Sequence, residues 1–121
     1  MDCIFCKILK DEVPSYKIYE DDLVYAFLDI NPDSIGHTLI IPKNHTLDID
    51  TIDDETFAHI KVIASILKKR MEEKLNIDGL TLIQNNGNIQ DVKHFHMHLK
   101  PYYDTKKEII NIDDVYNLLK D

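Results

Sequence analysis

The chain has 121 residues, 44% of them hydrophobic and 30% charged, which fits one globular unit with a single core. Its 14 Lys and Arg against 22 Asp and Glu give a formal net charge of −8, a balance that repels polyphosphate backbones and argues against general nucleic-acid binding. No apolar run reaches the roughly 20 residues of a membrane span, and Met1-Asp2-Cys3 opens without a charged and then apolar leader, so no membrane partner and a cytoplasmic location are expected.

From Cys3 to Lys10, apolar residues at 4, 5, 8 and 9 suit a short helix that puts Cys3 and Cys6 one turn apart on one face. In a reducing compartment this pair points to metal or redox chemistry. No βαβ unit precedes it, which favours half of a tetrahedral zinc site over a redox motif. Reduced thiols packed as small apolar groups are the alternative. Val13-Pro14 breaks the helix, and Lys17–Glu20 followed by Leu23–Asp29 predicts a β-hairpin around an acidic turn. After the turn formers Asn31 to Gly36, Thr38–Pro42 is a short apolar strand stopped by its proline.

The long helix is predicted from Asp53 to Asn76. Its apolar stripe is Phe57, Ile60, Ala64, Leu67, Met71 and Leu75, and Thr51 with Asp54 offers a cap. His59, beside the stripe, is expected to be a surface or partly packed imidazole. Asp78-Gly79 turns into a fourth strand, Leu80–Asn85, and Asn86-Gly87-Asn88 forms a loop. A fifth strand is predicted over Lys93–Pro101, and a last short helix over residues 113 to 120. With no alternating βα repeat, the class is α+β: a five-stranded antiparallel sheet with one long helix packed on it and a short N-terminal helix.

In a strand, His94, His96 and His98 share one face at a spacing of roughly 7 Å, while Phe95, Met97 and Leu99 take the other. Three imidazoles in register do not arise from β-propensity. Three explanations remain open here: an exposed face with incidental histidines, a metal site built from the three rings, or nucleophilic catalysis by one ring that its neighbours orient. If one ring attacks, the central His96 is the candidate.

His-x-His-x-His with apolar intervening residues resembles the signature of the histidine triad family of nucleotide hydrolases and transferases. Cys3–Ile8, Phe27–Pro32, Gly36–His45 and Asn85-Asn86-Gly87 resemble further family segments in the same order. The resemblance covers roughly residues 2 to 103 of a single domain spanning 1–121, leaves 104–121 as a C-terminal extension, and is nearest to the Hint-like branch with a Cys-x-x-Cys zinc site. It implies that His96 is a nucleophile forming a covalent nucleotidyl intermediate, that His98 holds phosphate oxygens, and that Asn85 contacts the scissile group. Asp29 would take the ribose hydroxyls; Phe5, Phe27 and Ile30 would wall the base; Asp91 and Val92 would also line the substrate. Structural zinc would sit on Cys3, Cys6, His45 and His94, with no organic cofactor, and the family's pairing as homodimers carries over. The implied activity is cleavage at the α-phosphorus of small, purine-type nucleotides such as nucleoside phosphoramidates. Alternatives are dinucleoside polyphosphate hydrolysis and a low-turnover nucleotide-binding regulator. Asp91 stands where many phosphoramidases of the family have Ser or Thr, which favours the regulator.

Overall fold

The computed structural model describes residues 3–108 and 110–120. Five strands form one antiparallel sheet in the order β1-β2-β3-β5-β4: β1 Tyr16–Glu20, β2 Val24–Leu28, β3 Thr38–Pro42, β4 Gly79–Gln84 and β5 Met97–Tyr102. The acidic turn joining β1 to β2 is built by Asp21, whose Oδ1 accepts the Leu23 and Val24 amides at 2.8 and 3.0 Å. That Asx geometry closes the hairpin where the sequence places Asp21-Asp22. His59 also reaches Asp21 Oδ2, at 2.5 Å, and is partly exposed, in keeping with a packed imidazole.

Helix α1 (Ile4–Leu9) covers one face of the sheet; α2 (Asp54–Leu75) and α3 (Ile112–Leu119) cover the other. The central strands β2 and β3 are buried at every position because both faces are occupied. Val24, Ala26, Leu28 and Ile40 join the α2 side, and Tyr25, Phe27, Leu39 and Ile41 the α1 side. Arg70 fastens α3 by donating from Nη1 to the Leu119 carbonyl at 2.7 Å.

The structure corrects two expectations on α2, its cap and its buried stripe. Asp53, not Thr51, is the N-cap: its side chain accepts the Thr56 amide at 3.0 Å, while Thr51 closes a turn on Asp48. A carboxylate placed immediately before the helix reaches that amide, and Thr51 lies too far upstream. Phe57 is 39% exposed and Ile63 takes the buried place, at 1%. The apolar stripe turns with the 3.6-residue period, so it passes through 60, 63, 64, 67, 71 and 75.

The predicted histidine strand also starts late. β5 begins only at Met97, so His94 and His96 lie on an irregular approach to it. Phe95 is fully buried in the α2-side core, and its amide donates to the Thr46 carbonyl at 2.6 Å. Anchored there, the chain sends His94 and His96 to the opposite side without making a regular ladder. Gly36, at φ +92°, precedes His37 on the way into β3. A side chain is strained at that φ whatever the space, and a Cβ there would also lie 2.7 Å from Leu75 Cδ1 and 3.2 Å from Pro101 Cγ.

Candidate active site and metal centre

Cys3 Sγ, Cys6 Sγ, His45 and His94 offer ligand atoms that all lie within 4.8 Å of one another. Individual separations are 3.4 Å for Cys3 Sγ to His94 Nδ1, 3.6 Å for Cys6 Sγ to the same nitrogen, and 3.2 Å for Cys6 Sγ to His45 Nδ1. Bond lengths of about 2.3 Å to sulfur and 2.0 Å to nitrogen place tetrahedral donors at such distances, so the set fits zinc. His94 Nε2 sits 2.9 Å from the Pro42 carbonyl, an acceptor only; the ring proton is therefore on Nε2, and Nδ1 keeps its lone pair toward the sulfurs. Burial lowers the His94 pKa, which keeps the ring in the neutral form a metal requires. Burial also raises the Cys6 thiol pKa, and its hydrogen bond to Cys3 acts in the same direction.

His96 is held differently. Its Nδ1 donates to the His94 carbonyl at 2.8 Å, which leaves the lone pair on Nε2. His96 is buried at 3% exposure, and among the described residues its Nε2 makes no hydrogen bond and is not fully sealed from solvent. The ring is packed by Phe5 on one side and His98 on the other, with centroids at 5.1 and 4.9 Å. It is outside the metal-ligating group and on the sheet face away from the α2 core.

His98 begins a second chain of polarised contacts. The Asp33 amide donates to His37 Nδ1 at 3.1 Å, so His37 carries its proton on Nε2 and donates it to His98 Nδ1 at 2.9 Å. His98 consequently presents Nε2–H as a donor. Burial, followed by the adjacent His96 and His37, pushes the His98 pKa down to about 4, so the ring is neutral near pH 7. Asp29 lies at the far end: its Oδ1 accepts the Asn31 amide at 2.8 Å and its Oδ2 is 3.7 Å from His37 Nε2. The three histidines are therefore not equivalent. One faces sulfur, one keeps a free lone pair and one keeps a free proton.

Other expected site residues occupy distinct positions. Phe5 and Phe27 pack edge to face at 5.5 Å, and Val92 lies against the same cluster, whereas Ile30 is 71% exposed at the rim of the β2–β3 loop. Asn85 is half-buried just beyond β4, and Asp91 is exposed on the approach to β5. His37 was absent from the site expected from sequence. Its signal was Gly36-His37 immediately before a strand, which reads as a turn residue until the β3–β5 register places Leu39 opposite His98.

An antiparallel five-stranded α+β sheet with a histidine cluster on one face and a Cys/His metal-ligating group beside it defines a histidine triad protein. The HIT domain profile matches residues 10–105, and the chain belongs to that family. It is 43% identical over 121 residues to an uncharacterized HIT-like protein of Methanocaldococcus jannaschii, covering 96% of this chain and 91% of the relative. It is 46% identical over 110 residues to the adenosine 5'-monophosphoramidase of Saccharomyces cerevisiae, covering 89% of this chain and 67% of the enzyme. Among solved structures, a zinc-bound histidine triad family protein from Mycobacterium smegmatis superposes with a TM-score of 0.90 at 32% identity, covering 99% and 91% of the two chains.

Proposed function

We propose that this chain is a nucleotide hydrolase that cleaves small, purine-type nucleotides at the α-phosphorus, with nucleoside phosphoramidates as the substrate class. The observation that carries this reading is His96: one nitrogen is tied to a backbone carbonyl, and the other keeps an unengaged lone pair, among the described residues, beside His98, whose ring burial keeps neutral. His96 Nε2 attacks phosphorus, the bond from phosphorus to the leaving nitrogen breaks with its electron pair going to nitrogen, and the amine departs with a proton taken from solvent water. Water then attacks the nucleotidyl-histidine, releasing the monophosphate and restoring the ring. His98 Nε2–H and Asn85 stabilise the charge that grows on the phosphoryl oxygens.

Asp29 receives the ribose hydroxyls, and Phe5, Phe27 and Ile30 wall the base, with Asp91 and Val92 along the remaining edge. The phosphoramidase activity of the yeast relative supports this substrate class. Zinc on Cys3, Cys6, His45 and His94 would be enclosed by four protein donors and supply a cross-link rather than an activated water. The two displacements need no organic cofactor.

Pairing as a homodimer fits the unpaired edge of β4 and the exposed apolar residues beside it. Leu82 is 54% exposed, Val62 48% and Ile66 44%. Leu82→Lys is expected to yield a monomer in analytical ultracentrifugation; an unchanged dimer would place the interface elsewhere. No helix among the described residues is long and apolar enough to cross a membrane.

The direct test compares hydrolysis of adenosine phosphoramidate and diadenosine tetraphosphate by the wild type and His96→Ala. AMP release from the phosphoramidate by the wild type alone is expected. Preference for the tetraphosphate would shift the assignment to dinucleoside polyphosphate hydrolysis, and AMP binding without turnover of either would make the chain a nucleotide-binding regulator.

A further inference from the structure

Three polar groups of His94 are engaged. Nδ1 faces the two sulfurs, Nε2 donates to Pro42, and the backbone carbonyl accepts the His96 Nδ1 proton at 2.8 Å. Phe5 lies on α1 between the two cysteines, and its ring meets both imidazoles edge-on, with centroids 5.8 Å from His94 and 5.1 Å from His96. Two of the three groups that hold the His96 ring therefore hang from the metal-ligating set: a carbonyl belonging to one ligand and an aromatic ring flanked by two others. The third is His98.

α1 has only six residues, too few to persist without tertiary support, and its N-cap is Cys3 Sγ, which accepts the Cys6 amide at 3.4 Å. Slackening the ligand set thus loosens the helix, the ring it carries and the carbonyl at once. By contrast, the ribose end of the site is organised by Asp29, Asp33, His37 and His98, whose hydrogen bonds run within the 29–37 loop and across to β5.

We infer that Cys3, Cys6, His45 and His94, closed around their metal, are positioning residues for His96, aiming its free nitrogen through the His94 carbonyl and the edge of Phe5. This rests on His96 being the nucleophile. With the set open, the ring turns and shares its proton between Nδ1 and Nε2, so fewer molecules carry the attacking lone pair in place. Substrate still docks at the ribose end. The loss therefore falls on kcat more than on KM.

The test uses the metal-loaded chain, the chain stripped by chelator under reductant and then reloaded with Zn2+, and a Phe5→Leu variant that retains all four donors. Imidazole ¹⁵N spectra are recorded without nucleotide, and kcat and KM are measured on adenosine phosphoramidate. The loaded chain is expected to show His96 protonated on Nδ1 alone. Stripping is expected to average the two nitrogens and to lower kcat about tenfold or more, with a smaller change in KM and recovery on reloading.

Phe5→Leu is expected to move the same two readouts in the same direction, to a lesser extent, at full metal content. A role confined to walling the base would raise KM and leave the His96 spectrum alone. Unchanged His96 nitrogens and unchanged kcat after stripping would overturn the inference. If stripping unfolds the chain, Phe5→Leu decides: unaltered spectrum and kcat overturn it, and loss of both upholds it. His96→Ala separates the two readings, because turnover surviving that change removes the nucleophile assignment while the spectra still report whether the ligand set orients the ring.

Discussion

On the α2 side of the sheet, Ile18, Val24, Ala26, Leu28 and Ile40 meet Ile60, Ile63, Leu67 and Met71, and any of these contacts could be remade by another residue of similar volume. On the α1 side, Phe5, Phe27, Leu39 and Ile41 form a thinner apolar layer bordered by histidines whose ring nitrogens are individually assigned. Both sides exclude water, but only the second fixes which atom carries a proton. A core tolerates compensation; a set of tautomers does not, because moving one proton reverses donor and acceptor along the chain.

The contrast can be broken most sharply from the histidine side. His96→Ala is expected to reduce turnover on the order of a thousandfold while leaving the fold intact by circular dichroism and thermal melting. Leu67→Ala gives the reverse: at 1% exposure it should cost about 3 kcal/mol in urea unfolding and leave kcat nearly unchanged in the folded fraction. Were both variants to damage both properties equally, the division between the two faces would fail.

A smaller effect follows from pH. Because burial holds His98 near pKa about 4, below the ordinary value of about 6.5, the unfolded chain binds more protons between those limits. This contribution is fully present above the ordinary value and is lost as pH falls toward about 4. It amounts to about 3 kcal/mol. Urea titrations at successive pH values should show the slope, and His98→Asn should flatten it. The least effect lies on the outer surface of α2, where Glu72→Gln removes the Lys68 ion pair at 2.8 Å and should change stability by about 0.5 kcal/mol or less.

Much of this was legible in the residues. Alternation and apolar runs located all five strands, three- and four-residue steps located α2, and the Cys3–Cys6 spacing pointed to a metal before any ligand partners were known. What the sequence did not resolve depends on contacts distant in the chain. Phe57 has the right period for burial, yet the curvature of the stripe leaves it at the margin, edge-on to Phe95 at 6.2 Å. The divergence of His94 from His98 requires Phe95 to be anchored against Thr46 and β5 to begin late. His37 becomes a partner of His98 only when the sheet brings together residues 61 positions apart. Local pattern reports which face a residue takes, whereas the proton on a ring is set by whichever acceptor the fold delivers.

The central claim is a covalent bond between His96 Nε2 and phosphorus. Intact-protein mass spectrometry of the chain quenched during turnover of adenosine phosphoramidate tests it directly. A mass gain of one adenylyl group, mapped to His96 and lost in His96→Ala, is the result this account predicts; sustained hydrolysis with no adduct under conditions that preserve phosphohistidine, or an adduct on another residue, would contradict it.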